Sequence, residues 1–247
     1  MSEERIVALW DTHIPFNIPL EGVYEFIKDF KPTKIILGGD IHDWTAASHW
    51  IANQGGTLDS GTIKENYEEL KSTLFIPLSK AAPGVQIIFL TGNHEDWLAQ
   101  AIALNPKQGQ GYWELENNLD LKKYNMKIIP VNTTYEASPN LVYIHGLYTV
   151  ENHAKKTVQT YHCSVFYGHT HDVQAHVLVS PINISHFYKG QSCGCLCNRS
   201  PHYMKNKPNR WVNGFNYAYV EKKTGLFWDT QVTIVEGKFW ANGRKYK

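Results

Sequence analysis

Short apolar runs recur between residues 6 and 171, and each one ends abruptly in polar residues. Ile6-Val7-Ala8-Leu9-Trp10 runs into Asp11-Thr12-His13, and Ile35-Ile36-Leu37 into Gly38-Gly39-Asp40-Ile41-His42-Asp43. Val85-Gln86-Ile87-Ile88-Phe89-Leu90 runs into Thr91-Gly92-Asn93-His94-Glu95-Asp96. Leu141-Val142-Tyr143-Ile144 delivers His145-Gly146, and Cys163-Ser164-Val165-Phe166-Tyr167 delivers Gly168-His169-Thr170-His171. Such runs read as buried strands, and 126–130 reads as another. The spacing of Val23, Phe26, Ile27 and Phe30 predicts a helix over 21–30, ended by Pro32. Further helices are predicted over 63–78, 97–104, 111–118 and 150–160. The strand–helix–strand order argues for parallel neighbours joined by crossovers. Beyond residue 172 the pattern changes: 173–179, 216–220 and 227–235 alternate like antiparallel strands, with Glu236-Gly237-Lys238 as a hairpin turn. Residues 44–60 read as an irregular loop around Gly55-Gly56. No repeat, low-complexity tract or linker divides the chain, so a single domain over 1–247 is expected.

Composition adds little. Hydrophobic residues at 43% and charged residues at 19% are those of an ordinary globular protein. A net charge of +1 gives the whole chain no strong pull toward polyanions. Met1-Ser2-Glu3-Glu4-Arg5 leads straight into the first strand, and no apolar run reaches membrane-spanning length. A cytoplasmic protein with no membrane partner is therefore expected.

Chemistry enters through the polar clusters. The C-terminal ends of buried strands are where open α/β sheets place their sites. Asp11 and His13, two residues apart in an extended segment, can reach one point. Asp40 follows two glycines that let the backbone turn tightly. Carboxylate, imidazole and amide-oxygen donors suit divalent first-row metals. Two such ions side by side need a shared anion, and Asp40 is the natural bridge. A two-metal site can bind phosphate-ester oxygens and make hydroxide available near neutral pH.

Taken together and in order, Asp11-Thr12-His13, Gly39-Asp40-Ile41-His42-Asp43, Gly92-Asn93-His94-Glu95, His145-Gly146 and Gly168-His169-Thr170-His171 resemble the motifs of the calcineurin-like metallophosphoesterases. The resemblance implies an α/β fold, a four-layer αββα sandwich of two mixed, mainly β sheets flanked by helices. It implies two divalent metal ions, manganese first, with iron, zinc or nickel as alternatives. One would be held by Asp11, His13, Asp40 and His171, the other by Asp40, Asn93, His145 and His169. It implies catalytic roles for His94, which would stabilise the transition state or protonate the leaving oxygen, and for Asp43, which would orient His94. Glu95 and Asp96 are expected to cap a helix starting near Trp97. His42, His49 and His153 match no ligand position and are expected to be structural or exposed.

Departures from the family bear on the substrate. Its protein serine/threonine phosphatases carry arginines after Asp-x-x-Asp and after Gly-Asn-His-Glu, a fork that suits a monoester dianion. Here Trp44 follows Asp43, and Asp96-Trp97 follows Glu95. Trp44 and Trp97 could stack on a base or pack in the core. Residues 173–220 contain no acidic residue, and Lys189, Arg199, Lys205, Lys207 and Arg210 interleave there with Phe187, Tyr188, Tyr203, Trp211, Phe215 and Tyr217. Positive charge tracks a phosphate backbone and aromatics stack on unpaired bases, although a solvated loop could be basic by chance. The segment 190–215 resembles small bacterial and phage members of the family. The expectation is a metal-dependent phosphoesterase leaning to phosphodiesters in single-stranded nucleic acid or nucleotides, with Trp44, Trp97, Arg199, Lys205 and Arg210 as substrate contacts. The alternatives are a phosphomonoesterase for nucleotides or small metabolites, and a nucleic-acid-binding protein with a structural metal site. Cys193-Gly194-Cys195-Leu196-Cys197 lacks the wider pair spacing of structural zinc sites and reads as reduced, partly buried thiols.

Overall fold

The first strand, β1 (Glu3–Leu9), sorts its side chains onto two faces. Val7 and Leu9 pack against Val23, Phe26, Ile27 and Phe30 of helix α1 (Glu21–Phe30). Ile6, Ala8 and the following Trp10 pack instead against Leu141, Tyr143 and Phe166 of a second sheet. Alternate residues of a strand point to opposite faces, so a strand covered on both sides must be apolar at every position. The same division holds for Ile35 and Leu37 against Ile36, and for Ile87 and Phe89 against Ile88 and Leu90.

The computed structural model describes residues 3–47, 60–182, 187–201, 204–205 and 207–247. The expected loop around Gly55-Gly56, His49 and Tyr203 lie outside them. The first sheet adds β2 (Lys34–Leu37), β3 (Gln86–Leu90), β4 (Met126–Ile129), β10 (Gly214–Glu221) and β11 (Phe227–Thr233), in the order β11-β10-β1-β2-β3-β4. β1 to β4 run parallel, and β10 and β11 are antiparallel to their neighbours. The second sheet has the order β5-β6-β7-β9-β8, with β5 (Tyr135–Ser138), β6 (Leu141–Tyr143), β7 (Ser164–Tyr167), β8 (Val173–Val179) and β9 (Phe187–Cys193). Helices α1, α2 (Ser60–Leu70), α3 (Ile76–Ala81) and α4 (Asn93–Leu104) supply residues to the core on the outer face of the first sheet. Helix α5 (His153–Tyr161) packs on β7, β8 and β9. These are the four expected layers: helices, sheet, sheet, helix.

Several elements differ from the expectation. The helix expected over 63–78 runs from Ser60 to Ala81 and contains one π-helical stretch, Lys71–Phe75. The one expected over 111–118 shrinks to Leu115–Asn118, because Gly111 takes a left-handed φ of 85°. Strands β5 and β9 and the terminal hairpin β12 (Phe239–Ala241) and β13 (Arg244–Tyr246) went unread. β9 contains Gly190, a residue type that weakens a strand pattern. A Cβ there would stand 2.3 Å from the Ala154 carbonyl oxygen, so the glycine is what lets α5 lie on the sheet. Among the described residues no helix is long and apolar enough to cross a membrane.

Candidate metal centre

Five strands deliver the polar clusters to one place. Asp11 and His13 follow β1, Asp40 and Asp43 follow β2, and Asn93 and His94 open α4 after β3. His145 follows β6, and His169 and His171 follow β7. The backbone there is unusual. Asp11, His13, Asp40, His169 and His171 have φ values of 47°, 46°, 47°, 67° and 60°. Left-handed non-glycine residues cost on the order of 1–3 kcal/mol each and persist where the surroundings over-determine them. Glycines give the carboxylates room. A Cβ on Gly92 would stand 2.2 Å from Asp40 Oδ1, and one on Gly168 would stand 2.1 Å from Asp11 Oδ2.

The structure brings all seven expected ligands together. One donor atom each from Asp11, His13 and His171 lie within 4.8 Å of one another, and so do those from Asp40, His145 and His169. Asn93 Oδ1 joins the second group, 2.9 Å from His169 Nδ1 and 3.1 Å from His145 Nε2. Asp40 Oδ2 stands between the groups, 3.3 Å from His145 Nε2 and 3.9 Å from His13 Nε2. The Nε2 atoms of His13 and His171 approach to 3.1 Å, a contact that needs a proton or a cation between two lone pairs.

The charges test whether cations fit. Burial opposes ionisation of Asp40, yet the facing His145, His94 and His13 hold its carboxyl well below the ordinary range. Burial would lower His145, but Asp40, Asp11 and the Gly38 carbonyl push it up to about 10. His171 is raised in the same way, by Asp11 against burial. Burial lowers His13 and His169. The imidazole–carboxylate gaps His145–Asp40 (3.3 Å) and His171–Asp11 (3.4 Å) are places where a divalent cation would displace a proton. The Gly38 carbonyl accepts from His145 Nδ1 at 2.8 Å, which leaves Nε2 to face Asp40. The donor set fits divalent cations.

His94 and Asp43, the expected catalytic residues, depart from the expectation in one respect. His94 Nδ1 lies 2.5 Å from the backbone oxygen of Asp43 but 3.7 Å from its carboxylate. The carboxylate instead meets His13 Nδ1 at 3.2 Å and accepts from Thr45 Oγ1. Asp43 therefore orients His94 through its carbonyl and His13 through its side chain. The His94 ring lies between His13, at 4.6 Å, and Trp97, at 3.9 Å.

Glu95 has a second role that its spacing in the sequence does not show. Helix α4 begins at Asn93 rather than near Trp97, and Glu95 is its third residue, 2% exposed. Its carboxylate accepts from the N–H groups of Gly92 (2.8 Å), Asp40 (2.8 Å) and Ile41 (3.1 Å). It is both the expected helix cap and the clamp that shapes the Asp40 turn. Burial, with Asp40 adding, pushes it up to about 7, against the Gly92 N–H. Glu95→Gln would aim an amide donor at a backbone donor. Denaturant unfolding of the metal-free chain should show a loss of about 1–3 kcal/mol.

No protein-family model matches the chain. No curated protein matches it. Solved structures do. Vps29 from Entamoeba histolytica complexed with zinc is similar at 12% identity, over 96% of each chain, with a TM-score of 0.47. A double mutant of that protein gives 12%, 94% of each chain and 0.48. Vps29 from Chaetomium thermophilum gives 12%, 93% of this chain, 97% of its own, and 0.42.

The expected substrate contacts divide. Trp44 is a correction: it is fully buried, packed on Tyr67 and His42, with Nε1 3.4 Å from Glu95 Oε1, so it cannot meet a substrate. Trp97 stays at the rim against His94, partly exposed. Arg199 and Arg210 are exposed and line a cleft of about 510 Å³ with Trp211, whose ring rests 4.3 Å from that of His171. Lys205 is exposed outside that lining. Lys189 is paired with Asp229 at 2.7 Å.

His153 is buried in a network that sequence spacing does not show. Its Nε2 lies 3.0 Å from Asp172 Oδ2, and since a carboxylate only accepts, Nε2 donates and Nδ1 receives the Tyr167 hydroxyl at 2.6 Å. Asp172 also accepts from Thr170 Oγ1 at 2.8 Å and Ser192 Oγ at 3.0 Å. The network ties down the loop that carries His169 and His171. In metal titrations His153→Ala should weaken divalent-metal binding, by up to about 10- to 100-fold.

Proposed function

We propose that the chain is a dinuclear metal-dependent phosphoesterase of the calcineurin-like superfamily, of the small bacterial or phage type, acting on phosphodiesters in nucleic acid or nucleotides. Manganese is the proposed metal and the cytoplasm the proposed compartment. Asp11, His13, Asp40 and His171 would hold one ion, and Asp40, Asn93, His145 and His169 the other. When bound, two such ions supply Lewis acidity at phosphate oxygens and hydroxide near neutral pH.

The observation that carries the reading is His94. Its Nε2 faces the centre, 4.0 Å from Asp40 Oδ2, while its other nitrogen is committed to the Asp43 carbonyl. A purely structural ion needs no such residue. Because the carbonyl can only accept, it keeps a proton on Nδ1, so a proton given to the leaving oxygen would come from Nε2 of the doubly protonated ring, which is left neutral with its proton on Nδ1. His13, held by the Asp43 carboxylate, presents Nε2 to the centre. The cleft with Arg199, Arg210 and Trp211 lies beside His171 and suits a substrate that extends beyond one phosphate.

The test is a hydrolysis screen in manganese against single-stranded DNA, RNA, cyclic nucleotides and phosphopeptides. Turnover of a nucleic acid or cyclic nucleotide is expected. Turnover of monoesters alone would make the chain a phosphomonoesterase.

A further inference from the structure

Two buried thiols stand on the far side of a centre histidine and have no part in that function. Cys193 closes β9 and faces the core between the sheets. Gly194 then turns the chain at a φ of 74°, with the Val212 carbonyl 2.5 Å from where a Cβ would be. The turn takes Cys195 and Cys197 away from β9 and sets them behind the ring of His171. Cys197 Sγ lies 3.8 Å from His171 Nδ1, and one donor atom each from Cys195, Cys197 and His171 lie within 4.8 Å of one another. Cys195 and Cys197 are 0% and 1% exposed.

The segment is held rigidly. The Cys195 N–H donates to the Val212 carbonyl at 3.0 Å, and the Gly214 N–H donates to the Cys195 carbonyl at 2.9 Å. The Asn213 amide donates to the Cys197 carbonyl at 2.6 Å, and the Val212 N–H donates to the His171 carbonyl at 2.8 Å. The thiols and the imidazole are thus fixed relative to one another before anything binds.

We infer that Cys195, Cys197 and Nδ1 of His171 form a third cation site, for a thiophilic ion of the zinc and cadmium class. Zinc takes sulfur at about 2.3 Å and imidazole nitrogen at about 2.0–2.1 Å. Tetrahedral ligands at those lengths stand roughly 3.5–4 Å apart, which the sulfur–nitrogen distance already matches. Thiolates favour soft ions, whereas the carboxylate-rich set on the other side of His171 suits harder ones. On binding, each thiol passes its proton to solvent as its sulfur bonds the ion, with no change of oxidation state.

The site has a consequence that rests on the proposed dinuclear centre. A neutral imidazole has one lone pair. An ion at Nδ1 leaves the ring proton on Nε2, the atom that faces Asp11 at 3.4 Å and His13 at 3.1 Å. Filling the thiol site therefore withdraws a ligand from the manganese-type centre, and zinc or cadmium should inhibit by that route.

The test is cadmium titration of the full chain, reduced, followed by thiolate-to-metal charge-transfer absorption in the ultraviolet. The wild-type chain should develop the band to one equivalent. Cys195→Ser and Cys197→Ser should lose it, and Asp40→Asn should keep it. X-ray absorption of the wild-type cadmium form gives a reading that needs no variant and should count two sulfur ligands. No band, a band indifferent to both serine variants, a band lost with Asp40→Asn, or a shell of oxygen and nitrogen alone would overturn the inference. Failure of the phosphoesterase reading would appear as absent turnover in manganese, with the band intact.

Discussion

An Asp40→Asn chain should bind neither ion tightly and should hydrolyse nothing, while keeping its fold. Two divalent cations roughly 3.5–4 Å apart repel by on the order of 15–20 kcal/mol even at an effective dielectric of about 20. The two ligand groups meet at Asp40 Oδ2, so that carboxylate is where the repulsion is offset. Asparagine removes the charge and leaves the local structure in place. It accepts the left-handed backbone of φ 47° as well as aspartate does. Its carbonyl can still receive the His94 N–H that Asp40 Oδ1 receives at 2.9 Å. Metal content after dialysis, circular dichroism and turnover measured on one preparation check this. A fully active variant would remove Asp40 from the centre of the account.

His94→Ala and His169→Ala should fail in different ways, although a motif count treats the two histidines alike. His169 Nδ1 lies with Asn93 Oδ1 in the ligand group of Asp40 and His145. His169→Ala should lower metal content and activity together. His94 is fixed by Asp43 and Trp97 and faces the centre without completing either expected ligand set. His94→Ala should keep both ions and lose mainly turnover, by about a hundred- to ten-thousand-fold for a poor leaving group, as general acid catalysis is worth. The loss should shrink for a nitrophenyl ester, whose leaving oxygen needs little protonation. Ion stoichiometry beside turnover of a nitrophenyl and an alkyl ester measures both effects. Equal slowing of the two esters by His94→Ala would rule out the proton-donor role.

The centre was legible because its chemistry is local. Each expected ligand follows a strand within a few residues, and the C-terminal parts of those strands are apolar because both faces are covered. What stayed hidden depends on contacts between distant segments. Glu95 satisfies the spacing of a helix cap, so nothing nearby signals that it also binds the N–H groups of Asp40 and Ile41. The sequence leaves Trp44 open to stacking on a base or packing in the core, and the contact with Tyr67 of α2 decides for the core. His153 meets Asp172 and Tyr167 only when α5 lies on its sheet, and nothing near Gly190 in the sequence signals that it permits this. Cys197 reaches His171 by a glycine turn whose direction no periodicity encodes.

Under the proposed function, two bound cations make this chain a phosphoesterase. The most direct test is hydrolysis of a nitrophenyl phosphodiester by the manganese-loaded chain, with the ions counted on the same sample. Two ions per chain are expected, with a turnover that a chelator abolishes and added manganese restores. Two bound ions with no turnover of a diester or of a monoester would contradict that function.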